Sequence, residues 1–485
     1  QTSEIADLLA AGDYVEGEAL VVVDNAASRN SLRSRSVDPL SSAEPLMDAS
    51  AETYATATGV DVPLEQSVSN GPVLLRSARS LPEDDAVSMV LVRQEGTSTE
   101  DLLRQLQDAP RILSAEPNYV QRLDDPDQTA LDESTPQVAA ALGLDSSSAD
   151  ASGTAAADLS GYQWGCRNTG EVMVQEEAPP LAGFDIAPPN WNQVGTTNAA
   201  DVVAVVDTGV DYNHPDLNGI MCDMTQYTDR GGRYGINVVP GMDPTDPMDD
   251  HYHGTHCAGI IASQWDGVGT SGVASGVQLV AVRVAGRQNT IESADTIRAY
   301  EYLAEAVDAG LPLRAINNSW AGRTMSKAFS LAATKLGEKG AVTVIGSGND
   351  AADVDKIPMT ASVLAHNPYA VAVDASDSSG QLASFSNYGV ETTDVVAPGM
   401  NIMSTVPLGR AAYAPEADGS PLSYETFESD APSVTARATP TSSEDIDAVV
   451  QGATHFDARG GALKIPFSEM LTEETALGIS FRSVV

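Results

Sequence analysis

Residues 201–211 read Asp201-Val202-Val203-Ala204-Val205-Val206-Asp207-Thr208-Gly209-Val210-Asp211. An unbroken apolar run closes on a carboxylate, and a Thr-Gly turn follows. A strand without polar/apolar alternation is one buried on both faces. Similar runs recur at 278–284, 315–319 and 342–346, with helical patterns at 291–309 and 325–339 between them. Short apolar strands alternating with helices specify an α/β fold: a mostly parallel sheet covered on both faces. Chemistry in such sheets gathers beyond the carboxyl ends of the strands. Asp207, Asn317 and Asn349 all stand at or just after such ends.

Outward from this core, 161–408 reads as one α/β domain. Ahead of it, 14–123 carries strand patterns at 19–23, 86–92 and 112–120. A helix opened by Ser98 or Thr99 presents Leu102, Leu103 and Leu106 on one face. These elements predict a small α+β domain with a long loop-like insertion at about 24–80, after an N-terminal tail at 1–13. The stretch 124–160 is rich in Asp, Ser and Ala and reads as an acidic linker. From 409 to 485 the chain is first acidic and Pro/Ser-rich, then strand-like at 462–466 and 477–481, as in the start of a β-rich module. The final strand-like residues stop without a turn or tail, which predicts a sequence interrupted there.

The 485 residues are 42% hydrophobic, with 26 basic against 68 acidic side chains and a formal net charge of -42. Nucleic acid and anionic membranes repel such a surface. It suits solubility, and carboxylates able to hold calcium. The three cysteines, Cys166, Cys222 and Cys257, lack CxxC spacing. An odd count leaves at least one thiol free or paired with another chain. No apolar run approaches the roughly 18 residues that span a bilayer. The sequence starts at Gln1 without a signal-peptide pattern.

Three residues carry candidate chemistry. Asp207 could orient and charge-stabilise a histidine, or simply cap a turn. His253, in Asp249-Asp250-His251-Tyr252-His253-Gly254-Thr255-His256-Cys257-Ala258-Gly259, could take a proton from a nucleophile and return it. The close spacing of His251, His253 and His256 also admits a metal site and a metal-dependent hydrolase, though no second shell is evident. Asn349, in Gly346-Ser347-Gly348-Asn349-Asp350, could donate to an oxyanion or occupy a left-handed turn.

Together these segments resemble the subtilisin-like serine protease family. Val205–Asp211 with His214-Pro215-Asp216-Leu217 resembles its aspartate segment, and His253–Gly259 its histidine segment. Asn318-Ser319-Trp320-Ala321-Gly322 resembles the strand lining the substrate cleft, and Gly346–Asn349 the oxyanion segment. Ser384-Phe385-Ser386-Asn387-Tyr388-Gly389 and Val396-Ala397-Pro398-Gly399 resemble two later landmarks. The first block, ending in Glu116-Pro117-Asn118-Tyr119-Val120, resembles the family's inhibitory propeptide. Asp–His–Ser is the known chain order of subtilisin triads.

The resemblance implies peptide-bond hydrolysis through an acyl-enzyme and manufacture as a proenzyme, secreted or at the cell surface. It makes His253 general base and acid, Asp207 its orienting partner and Asn349 the oxyanion donor. Ser319, Trp320, Ala321 and Gly322 would bind extended substrate, with Trp320 either narrowing a pocket or packing in the core. It also implies structural calcium with Asp216 as a ligand; Asp243, Asp246, Asp249 and Asp250 form a second acidic cluster, otherwise a solvated loop. The implied partners are peptide or protein substrates and the chain's own propeptide. The nucleophile segment, of Gly-Thr-Ser-Met-Ala type, does not occur between 400 and 485, and neither Ser420 nor Ser468 has its context. The expectation is a chain inactive by itself, either a catalytic domain interrupted by an insertion or a pseudoprotease that binds without cutting.

Overall fold

A computed structural model describes residues 2–25, 43–58, 85–123, 160–193, 201–407, 421–424 and 434–437, apart from short gaps within these ranges. Seven strands form a parallel sheet: β5 (Val202–Asp207), β6 (Gly235–Asn237), β7 (Gln278–Arg283), β9 (Leu313–Asn318), β10 (Val342–Gly346), β11 (Ala370–Ser376) and β12 (Val395–Pro398). Their order is β12-β11-β10-β9-β5-β7-β6. The α/β expectation therefore holds, and the unalternating strands are buried for the expected reason. Val202, Ala204 and Val206 of β5, with Val280 and Val282 of β7, join the core on one face. That core includes α5 (Ser293–Asp308) and α6 (Lys327–Glu338). Val205, Leu279 and Ala281 point the other way, onto Cys257, Ala258 and Ala262 of α4 (His253–Ala262).

The first block forms a second, antiparallel sheet from β1 (Tyr14–Asp24), β2 (Glu44–Ser50), β3 (Asp85–Arg93) and β4 (Ile112–Arg122), in the order β2-β3-β1-β4. Its alternating residues divide between two cores. Leu20, Val22, Met89 and Leu91 join the core that α5 and α6 share with the parallel sheet. Val21, Val23, Val90 and Val92 pack on Leu102, Leu103 and Leu106 of α3 (Thr99–Gln107). Burying each such leucine is worth about 1.5–3 kcal/mol, which seats the helix that the leucine spacing predicted. A fifth strand, β8 (Thr290–Glu292), extends this sheet by pairing with β4, Val120 opposite Glu292 and Arg122 opposite Thr290. Gln121 at the centre of that pairing faces Ile291.

Two expectations about the first block change. The tail at 1–13 contains α1 (Thr2–Ala10), because Ile5 is buried against the α3 side of the sheet. The stretch 24–80, read as loop, contains β2 and the helix α2 (Ala51–Thr58), with Leu46, Met47 and Tyr54 in the core shared with α5 and α6. Their apolar residues are too few for a periodicity, and the edge of β3 supplies the pairing. A short helix α7 (Thr360–Leu364) precedes β11. The acidic linker lies outside the described residues except for Ser160. Of 409–485 only β13 (Pro421–Tyr424) and β14 (Val434–Arg437) are described, as an antiparallel pair. The strands expected at 462–466 and 477–481 lie outside the described residues. Among the described residues no helix is long and apolar enough to cross a membrane.

Candidate active site

The apolar run of β5 delivers Asp207 to the carboxyl edge of the sheet, where its side chain is fully buried. Glycine at 254 lets the first turn of α4 pack against that strand end, since a Cβ there would lie 2.0 Å from the Gly209 carbonyl oxygen. His253 opens α4 and is 12% exposed. Its Nδ1 lies 2.8 Å from Oδ1 and 3.0 Å from Oδ2 of Asp207. Among the described residues no hydrogen bond engages Nε2. One imidazole nitrogen is thus fixed by a buried carboxylate and the other is open, which is the arrangement of a histidine that shuttles protons.

Burial disfavours a charged His253, as does its place at a helix N-terminus. The Asp207 carboxylate outweighs these, helped by Cys257, and raises the pKa well above the ordinary 6.5. A histidine so raised contributes stability that is fully present below pH 6.5 and lost as pH rises through its folded-state value. The stability difference between the chain and its His253→Gln variant is therefore expected to stay constant in acid and shrink in mild alkali. Urea unfolding across pH checks this, and a difference flat to pH 10 would refute it.

The other two histidines do not join this one. His256 is buried, with Nε2 3.2 Å from the Ile402 carbonyl oxygen, and burial together with nearby His253 lowers its pKa to about 3. His251 is buried, its Nδ1 3.4 Å from the His253 amide. Among the described residues the trio of metal-capable side chains brought together is Asp207, His253 and Cys257, with ligand atoms within 4.8 Å of one another. The thiol sulfur lies 4.0 Å from His253 Nδ1. All three cysteines are buried free thiols.

Asn349 follows β10, half-buried, with its amide in no hydrogen bond among the described residues. Its turn is held by Asn387, a residue to which the sequence assigned no role. The Asn387 side chain donates to the Ser347 carbonyl (2.9 Å) and accepts from the amides of Asp350 and Ala352 (both 2.9 Å). Gly348 has φ +109°, and a Cβ there would meet the Asn387 amide at 2.4 Å. The signal was present in Ser384–Gly389, but only the fold brings that segment beneath the turn.

The cleft-strand residues divide. Trp320 is a core side chain: its Nε1 donates to the Val206 carbonyl (2.9 Å) and its ring packs on Phe329. Ser319 is buried and bonded to Asn317, and Ala321 is buried. Gly322 lies against Gln121 of β4, where a Cβ would stand 3.1 Å from Gln121 Cγ. Its carbonyl accepts from the amide and hydroxyl of Thr360.

The acidic residues singled out for calcium have protein partners of their own. Asp216 is buried and accepts from the Thr270 amide (3.0 Å). Among the described residues it has no pair of further metal-capable side chains gathered round it. The second cluster disperses, because each carboxylate turns to a different local donor. Asp243 accepts from Thr245 and Asp246 from Tyr212, while Asp250 pairs with Arg283 at 2.5 Å. Asp249 is buried, not a solvated loop residue, and neighbours use both its oxygens.

The fold is thus a parallel α/β sheet that presents an aspartate–histidine pair and an amide turn at its carboxyl edge. The subtilase family model matches residues 199–443, half of the chain, and the chain belongs to the subtilase family. It is 34% identical over 242 residues to a thermophilic serine proteinase of Bacillus sp. (strain AK1), covering 48% of this chain and 53% of that protein. It is 34% identical over 234 residues to subtilisin E of Bacillus subtilis (strain 168), covering 48% and 55%. To a subtilisin of Bacillus pumilus it is 33% identical over 234 residues, covering 48% and 77%. The chain spans about half the length of the first two.

Proposed function

We propose that this chain supplies the Asp/His part of a secreted serine endopeptidase made as a proenzyme, and that residues 1–485 alone cut no peptide bond. The observation that carries this reading is the 2.8 Å contact between His253 Nδ1 and the buried Asp207 carboxylate, in a chain of the subtilase family. In this reading Asp207 fixes the imidazole tautomer and stabilises the imidazolium. His253 Nε2 takes the proton of a serine and returns it to the leaving amine. Asn349, with its uncommitted amide, donates to the oxyanion.

The first block acts as the chain's own inhibitor. Support comes from β4, which runs as an added strand along β8 and sets Gln121 against Gly322, where extended substrate would lie. The nucleophile is the missing part, since no segment between 400 and 485 has the sequence context of a subtilase serine.

Two measurements test this. Residues 1–485 are expected to show no peptide turnover and no labelling by a fluorophosphonate. Turnover that His253→Ala abolishes would overturn the missing-nucleophile statement. A fusion carrying the Gly-Thr-Ser-Met-Ala helix of a subtilisin after Gly399 is expected to gain labelling, and to lose it with His253→Ala. A folded fusion that never labels would favour a binding protein instead.

A further inference from the structure

Asp249 is a carboxylate buried to 3% exposure, four residues before His253, in a position that the proposed chemistry does not use. Each of its oxygens accepts two hydrogen bonds. Oδ1 takes the Thr208 hydroxyl at 2.9 Å and the His251 amide at 2.8 Å. Oδ2 takes the Thr255 amide at 3.0 Å and the Thr255 hydroxyl at 2.5 Å. The two hydroxyls relay further. Thr208, next to Asp207, accepts from the Gly254 amide at 2.9 Å, and Thr255 accepts from the Asp211 amide at 2.9 Å.

A helix start leaves its first amides without intrahelical partners. Here the residue before the helix, Tyr252, makes no side-chain cap. The amides of Gly254 and Thr255 are satisfied instead from outside α4, through Thr208 and Asp249. The loop that carries Asp249 is itself fixed. Val210 donates to the Pro247 carbonyl at 3.1 Å, and Arg283 donates to the Met248 carbonyl at 2.8 Å. Gly209, at φ +107°, lets the 247–249 backbone close over it.

We propose that Asp249 is the positioning residue for His253: its carboxylate locks the first turn of α4 to the exit of β5, and so holds the imidazole at bonding distance from Asp207. The role rests on the Asp207–His253 reading above. It follows from connectivity, because Asp249 accepts at once from Thr208, the residue after the aspartate, and from Thr255, two residues after the histidine, while Thr208 in turn accepts from the Gly254 amide. Asparagine would turn an amide donor toward the Thr255 amide and a hydroxyl whose lone pair already serves Asp211. A buried donor without an acceptor is destabilising, and the first turn of α4 is held from outside the helix, so the turn shifts.

The test reads the imidazole and not turnover, so it is independent of whether the chain cuts peptides. Histidine-labelled full chain is titrated by NMR, following His253. Asp249→Asn is expected to lower the His253 midpoint by about one pH unit or more, the scale of losing a close opposite charge. Thr255→Val keeps the Asp249 charge and removes one hydroxyl. It is expected to lower the midpoint in the same direction, while Thr255→Ser leaves it in place. That pair separates geometry from charge, and it carries the test if Asp249→Asn does not fold. Folded Thr255→Val with an unmoved His253 midpoint would overturn the positioning role alone. A wild-type His253 titrating at its ordinary value would overturn the Asp207–His253 pairing, and this proposal with it.

Discussion

Gly254→Ala is expected to separate His253 from Asp207 and destabilise the chain by about 3 kcal/mol, the upper end of ordinary overpacking. The added Cβ would stand 2.0 Å from the Gly209 carbonyl oxygen and 3.1 Å from Asp207 Cβ. The first of these is backbone, and Gly209 is pinned beneath Pro247 and Asp249, so it cannot yield cheaply. The helix must move instead, and His253 is the residue at its start. Alanine also favours helix over glycine by about 1 kcal/mol, but that gain is smaller than the clash. A melting curve and a His253 titration check both parts. A variant as stable as wild type, with His253 still titrating high, would contradict the close packing of α4 on β5.

The second large effect is expected at the contact between the two sheets. Glu116 of β4 is buried, and its carboxylate caps α6 from outside. It accepts from the Ser326 hydroxyl at 2.6 Å and the amides of Lys327 and Ala328 at 2.9 and 3.2 Å. Burial raises its pKa, and these bonds work against that rise. Hydrogen bonds to a charged group contribute about 1.5–3 kcal/mol each, and removing the acceptor leaves the buried Ala328 amide and the part-buried Lys327 amide bare. Glu116→Ala is expected to loosen the first block from α6 and to speed exchange of the Lys327 and Ala328 amides about 100-fold. Glu116→Gln, which keeps an acceptor, is expected to do less. Hydrogen exchange on the full chain measures this, and unchanged protection at those two amides would refute the capping role.

The nearby Asn118 works in the same way, accepting from the Ala294 amide at 3.0 Å in the first turn of α5. The first block thus offers two polar side chains from one strand to the starts of two helices. In the sequence Glu116 and Asn118 were legible only as part of a propeptide-like ending, because a cap supplied from a distant strand has no local spacing. Asp249 was hidden for the same reason. Among Asp243, Asp246, Asp249 and Asp250, nothing in the order of residues says which carboxylate turns inward. The approach of Thr208 and Thr255, with the His251 amide, is what offsets burial of Asp249.

The sequence by itself determined the α/β class, the strand ends that present Asp207 and Asn349, and the histidine segment that meets them. Those readings rest on local properties: unbroken apolar runs, the residues that terminate them, and small residues after His253. The tertiary structure decided which partners the side chains take. It turned Trp320 into the core, closed Asp216 on Thr270, drew His256 to Ile402 and made helices of residues 2–10 and 51–58. The physical reason is that a side chain's partners are set by segments tens to hundreds of residues away, which local pattern does not encode.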